Sequence, residues 1–175
     1  RNIALWQDRL FLATYDAALV AIDAASGKQL WRTDKADYRD AYTHSAGPLV
    51  AAGVVVSGIN GCELFTKDGC FITGHDPETG KELWRTSTLA LPGTPEYATW
   101  GEVAPDRRGG GDVWIAGSYD PELDLVYFGT SQPKPWAAAS RGMSVTDDDL
   151  YTNPTLANRP GSGELIRPFQ QAPRE

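Results

Sequence analysis

Apolar and polar positions alternate along this chain in short blocks. Apolar runs at 19–22, 54–57 and 71–73 are bounded by Gly, Asp, Ser and Asn. That is the pattern of β-strands joined by tight turns. After two of these strands the text repeats. Residues 23–33 read DAASGKQLWRT and residues 76–86 read DPETGKELWRT, identical at seven of eleven positions and 53 apart. Self-similarity of this kind marks a repeat architecture. In each copy an Asp that can bond the backbone ahead of it, then Ser or Thr, then Gly form the corner. A strand with Leu-Trp-Arg-Thr leaves it. The unit is therefore a hairpin with one tryptophan at a fixed place, suited to docking against a neighbouring unit.

These signals predict an all-β chain, a partial β-propeller of about three blades. A single sandwich with two similar hairpins explains the strands but not the repeated indole. A worn third copy stands at 156–169, LANRPGSGELIRPF, where Arg159 replaces the turn Asp and Arg167 replaces the Trp. The predicted hairpins thus fall at 19–33, 71–86 and 155–169 of one propeller domain covering 1–175. The third turn glycine follows the second by 83 positions rather than 53, and the extra length falls at 87–111 and 131–153. Both stretches are rich in Gly, Pro and polar residues and read as long loops, which on such scaffolds carry function or subunit contacts.

Three blades fall short of a closed propeller, so the 175 residues read as a fragment of a longer protein, poorly stable alone. No apolar run approaches the ~20 residues of a membrane span. The net charge of −7, with no basic stripe, argues against a nucleic-acid partner. Cys62 and Cys70 are the only cysteines. Their spacing permits a disulfide and equally permits two free thiols. It does not make a zinc site, because His44 and His75 are too isolated to complete one.

Three local patterns carry candidate chemistry. In 58–63, GINGCE, a carboxylate follows a strand end beside glycines that let a backbone approach a ligand, and Glu63 suits a hard cation. In 109–114, GGGDVW, three glycines precede an indole that can serve as a flat platform; a strand is expected from there to Tyr119. No GKS/GKT follows, so this is not a phosphate loop. In 127–136, YFGTSQPKPW, the amide oxygen of Gln132 suits a metal or a cofactor. Each alone reads as an ordinary turn, and Asp147, Asp148 and Asp149 read as a solvated charge run. Strand ends of propeller blades gather round one axis, so one assembled site explains Glu63, Trp114 and Gln132 better than three accidents.

Taken together, the tryptophan repeats, GxxGxE at 58–63, GGGxxW at 109–114 and YDPELDLVYFGT at 119–130 resemble the quinoprotein alcohol dehydrogenases, the methanol and ethanol dehydrogenase family that uses pyrroloquinoline quinone (PQQ). The resemblance covers nearly the whole chain. It implies blades from the early part of an eight-bladed propeller, with PQQ beside a calcium or lanthanide ion. It implies that Arg1 bonds the quinone carbonyls and stabilises charge developing there. Ser45, Asn60, Gly61 and Asp112 fall at cofactor-contact positions, Trp114 under the PQQ ring, and Glu63 and Gln132 at metal positions. Gln132 stands for an asparagine and Asp112 for a threonine, where its carboxylate would repel an acidic cofactor unless compensated. A periplasmic family favours a Cys62–Cys70 bridge holding the Glu63 loop. The implied partners are an alcohol substrate and an electron acceptor such as a cytochrome c or a quinone, with a homo-oligomer compatible. The implied location is the periplasm, free or attached to the inner membrane. The base that takes the hydroxyl proton is an aspartate expected beyond residue 175. A non-catalytic envelope scaffold with the same tryptophan repeat is the alternative.

Overall fold

The structure, a computed structural model, describes residues 2–64, 69–144 and 146–171. Three antiparallel four-stranded sheets follow one another along the chain. The first contains β1 (Ala4–Trp6), β2 (Arg9–Ala13), β3 (Ala18–Asp23) and β4 (Gln29–Asp34). The second contains β5 (Leu49–Ala51), β6 (Val54–Ser57), β7 (Phe71–His75) and β8 (Glu82–Ser87). Two-residue strands β9 (Gly109–Gly110) and β12 (Pro133–Lys134) pair with each other outside the blades. The third sheet contains β10 (Ser118–Asp120), β11 (Leu125–Gly129), β13 (Pro154–Asn158) and β14 (Leu165–Gln170). The order in each sheet follows the chain, as in propeller blades.

The middle blade has neighbours on both faces, which explains its unbroken apolar runs. Every residue of β6 and β7 is buried. One face packs Val55 with Ala4, Phe11 and Ala21 of the first blade. The other packs Val54, Val56, Ile72 and Trp84 with Val126, Phe128 and Leu156 of the third. Strand β4, by contrast, buries none of its six residues.

The repeated turns close alike. In the first, Asp23 donates its N–H to Lys28 O and accepts from Gly27 N at 2.9 Å, while its Oδ1 takes the Ser26 N–H at 2.7 Å. Asp76 repeats this with Lys81, Gly80 and Thr79. Arg159 and Glu164 close the third turn through the same backbone bonds. Without a carboxylate, Arg159 turns outward and donates to Leu123 O at 2.6 Å. The residue opposite each fixed position is small where the partner is an indole: Ala21 faces Trp31 and Gly74 faces Trp84. Ala157 faces Arg167, which therefore stands at the Trp position of the worn copy.

Each blade is tied to the next through these residues. Trp31 Nε1 donates to Pro77 O at 3.0 Å and Thr33 Oγ1 to Gly80 O at 2.8 Å. One blade on, Trp84 Nε1 donates to Pro160 O at 2.7 Å and Thr86 Oγ1 to Gly163 O at 2.7 Å. The turn glycine serves two ends. Gly80 has φ +74°, and a Cβ there would lie 2.6 Å from Trp31 Cε3.

Two expectations change here. The strand expected to follow the 109–114 segment up to Tyr119 begins only at Ser118, because Val113 gives its N–H to Ile59 O at 2.9 Å and leaves the sheet. Asp149 is not solvated: it is buried and paired with the buried Arg141 at 2.5 Å. The long loops fold onto each other around the fully buried Trp100, whose Nε1 donates to Leu150 O at 2.5 Å.

Trp84→Ala should destabilise the protein by about 3–5 kcal/mol, the cost of an emptied large core position. A fall in the thermal midpoint of the full-length protein checks it, and a neutral outcome would refute indole docking as the inter-blade tie. A pH effect follows from two buried histidines. Burial lowers His44 to about 3 and His75 to about 4. Each stays neutral in the folded state, while the unfolded chain binds protons near its ordinary value. Stability should therefore decline as pH falls from about 6.5 toward 4. His75→Asn, which retains a donor toward Gly80 O, should flatten that decline in midpoints measured between pH 7 and 5.

Candidate functional site

The site is built on the turn that leaves β6. Lys35 anchors its start, donating from Nζ to Ser57 O, Ser57 Oγ and Gly58 O at 2.8–3.1 Å. Lys35 is fully enclosed, and burial, then Arg85, holds its pKa well below the usual lysine range. Gly58 is required for close packing, since a Cβ would lie 2.2 Å from Val113 Cγ1. Asn60 exchanges both backbone bonds with Thr43 at 2.9 and 3.0 Å. Gly61 has φ +97°, and its missing Cβ would lie 2.0 Å from Ala41 O. Cys62 and Cys70 are buried and joined by a disulfide with Cα atoms 5.4 Å apart. The two alternatives left open by the spacing resolve to a bridge.

Asp112 fastens this turn to the 109–114 segment. Its Oδ1 accepts the N–H groups of Gly61 at 2.7 Å and Cys62 at 3.1 Å, and its Oδ2 accepts Ser131 Oγ–H at 3.1 Å. Ser131 Oγ lies 2.9 Å from Asp112 N as well, and Ser131 N–H donates to Asp112 O. The carboxylate is buried and faces its own chain. Three donors of the protein hold the oxygens of Asp112, so the carboxylate expected at a cofactor-contact position is compensated from within the chain. The Gly61 N–H, expected near a cofactor, is given to Asp112 in this structure. Both sulfurs also lie beside Asp112, but they are bonded to each other and are not metal ligands.

Three of the other predicted residues come together. Asn60 Oδ1 accepts from Ser45 N at 2.9 Å and Ser45 Oγ at 3.2 Å. Ser45 Oγ lies 3.1 Å from Trp114 O. Trp114 follows Asp112 and Val113, both fixed to the 58–62 turn, so its backbone is held while its indole is more than half exposed. An exposed aromatic face on a fixed backbone fits a planar aromatic group.

The two predicted metal residues are placed by the small β9–β12 ribbon. Strand β9 lies against the Cys62–Leu64 turn and pairs with Pro133–Lys134. Glu63 is exposed at that turn. Gln132 lines an open pocket of about 650 Å³ with Pro133, Trp136 and Ala138. Glu63 Oε1 pairs with Lys134 Nζ at 3.2 Å. Lys134 carried no weight in the sequence reading, although it stands two residues after Gln132. Only the ribbon pairing brings it to a carboxylate 71 positions earlier. Arg1 lies outside the described residues.

Residues 35–173 match the family described as PQQ, glucose/ethanol/alcohol dehydrogenase, beta-propeller domain. The chain belongs to this family. It is 36% identical over 185 residues to the quinohemoprotein alcohol dehydrogenase ADH IIB of Pseudomonas putida, covering 99% of this chain and 26% of that protein. Its structure superimposes with a TM-score of 0.87 on the quinohemoprotein alcohol dehydrogenase ADHIIG from Pseudomonas putida HK5, at 32% identity over all of this chain and 27% of that one. A europium-containing methanol dehydrogenase matches with a TM-score of 0.83 at 29% identity, over all of this chain and 32% of that one. The chain spans about a quarter of the length of these curated relatives. The partial propeller predicted from the repeats is thus the fold of this family.

The residues present fit PQQ and a metal ion unequally. The exposed Trp114, whose backbone carbonyl is bonded by Ser45, fits a planar quinone ring. The metal donors do not fit as they stand, because an ammonium already pairs with Glu63.

Asp112→Ala would leave two backbone N–H groups without their acceptor and should cost about 2 kcal/mol. Asp112→Asn keeps one acceptor oxygen and should cost less. Equal thermal midpoints for the two variants and the parent would remove Asp112 as the clamp.

Proposed function

We propose that the full protein oxidises an alcohol with PQQ and that this chain supplies the platform on which the cofactor lies. The observation that carries the reading is the open indole of Trp114, tied through its backbone to Ser45 and through Asp112 and Val113 to the 58–62 turn. Family membership supports the chemistry, and relatives named as quinohemoprotein alcohol dehydrogenases support the substrate class. Bound PQQ would supply the two-electron hydride acceptor that oxidation of an alcohol requires.

The residues of this chain act by binding and orientation. Trp114 sets the plane of the ring. Ser45 and Asn60 would offer it a hydroxyl and an amide, with the Asn60 carbonyl already engaged by Ser45 so that the amide orientation is fixed. Arg1 belongs to the same proposal as the group beside the quinone oxygens. None of the described residues is given the role of base for the hydroxyl proton. The calcium or lanthanide that accompanies PQQ in the resemblance would depend on Glu63 and Gln132, and Lys134 stands against it. The electron acceptor, a cytochrome c or a quinone, is part of the proposal, and so is a homo-oligomer. A periplasmic location is proposed on the Cys62–Cys70 bridge, since disulfides persist in oxidising compartments.

Titration of the full-length apoprotein with PQQ, followed by cofactor absorbance, tests the platform. Trp114→Ala should weaken binding by about tenfold, the loss of one stacking contact. It should leave the thermal midpoint nearly unchanged, because the indole is largely outside the core. Unaltered affinity in that variant would remove Trp114 from the site. Failure of the parent protein to bind PQQ would favour a propeller that binds other partners.

A further inference from the structure

The 3.2 Å pair between Glu63 and Lys134 stands at the place where the resemblance puts a metal ion. Lys134 is not a loose surface side chain there. Its backbone pairs with Gly109 in the β9–β12 ribbon, it stands between Pro133 and Pro135, and only 20% of its side chain is exposed. Glu63 is the freer partner, with 58% of its side chain exposed. The ribbon thus aims the ammonium, and the carboxylate meets it. Charge agrees with that reading. Glu63 contributes one negative charge and Gln132 none, so one ammonium neutralises the pair of donors completely. Calcium takes roughly six to eight oxygen ligands and needs several of them charged or strongly polar. An ion on Glu63 would find an ammonium among its nearest neighbours. Asp112, the other carboxylate near this turn, is held by Gly61, Cys62 and Ser131.

We propose that the ammonium of Lys134 takes the place of the metal cation, so that Glu63 is neutralised from within the chain and PQQ is bound without calcium or a lanthanide. The inference deepens the PQQ reading above and rests on it. Its physical content is a fixed single charge, supplied by β12, in place of an exchangeable ion of higher charge. Such a site would not respond to chelators or to the choice of metal.

The test uses the full-length protein after exhaustive dialysis against EDTA, with three variants: Lys134→Met, Lys134→Arg and the double variant Lys134→Met, Glu63→Gln. Terbium luminescence sensitised by tryptophan, and calcium binding by calorimetry, are read without PQQ. The parent and Lys134→Arg should bind neither ion stoichiometrically. Lys134→Met should gain one site, at least tenfold tighter than any in the parent, and the double variant should lose it. A single Glu63-dependent site in the parent, unchanged in Lys134→Met, would overturn the inference. So would the same lack of binding in Lys134→Met, since Lys134 would then not be what excludes the ion. Circular dichroism of each variant shows whether it has folded. PQQ uptake is then followed by absorbance with EDTA present. Uptake by the parent supports the inference. Uptake only after calcium or a lanthanide is added overturns it and leaves the PQQ reading standing. No uptake under any condition overturns the PQQ reading, while the ion titrations still decide what Lys134 does.

Discussion

The contact on which this chain depends is the indole of one blade set on the turn of the next. Trp31 and Trp84 each donate to a carbonyl just after a turn has begun, and a threonine two residues later donates to the turn glycine. The same glycine takes the left-handed conformation of the corner and leaves the space that the ring fills. One residue type thus sets both the bend of a hairpin and the distance to its neighbour. Repeat proteins gain stability from such nearest-neighbour interfaces, which is why the turn and the tryptophan recur together. The third hairpin keeps the turn but carries Arg167 at the docking position.

Blade docking brings the strand ends into register, and the site is then stitched from loops. Gly58 and Gly61 let the chain approach Val113 and Ala41 more closely than any side chain would allow. Asp112 supplies the anion that draws the N–H groups of Gly61 and Cys62 together, and the disulfide closes the same turn from the other side. The consequence for chemistry is selective. Trp114 is exposed and linked through its backbone to Ser45 and Asn60, whereas Gly61 and Asp112 bond to each other. The long loops around Trp100 and the Arg141–Asp149 pair form a packed support, and the β9–β12 ribbon that emerges from them carries Lys134 to Glu63.

Charge is therefore arranged differently here from the pattern that the family resemblance implies. A carboxylate lies where a neutral hydroxyl was implied, and an ammonium reaches the carboxylate assigned to a cation. Each is compensated by the chain: Asp112 by backbone donors, Glu63 by Lys134. A buried charge persists when it is paired or hydrogen-bonded, and Asp112 meets that requirement through its three donors.

The residues alone determined the repeat, the hairpins, the worn third copy and the family, because turn chemistry and a fixed indole are local signals readable at single positions. They also marked Ser45, Asn60, Glu63, Trp114 and Gln132 as worth attention through short motifs. They did not reveal that Asp112 would turn inward, that Asp149 would be buried against Arg141, or that Lys134 would meet Glu63. Those outcomes depend on pairs 8 to 71 positions apart. Whether a carboxylate is solvated, clamped or paired is set by what the packed loops place beside it, and that is decided only when the blades have docked.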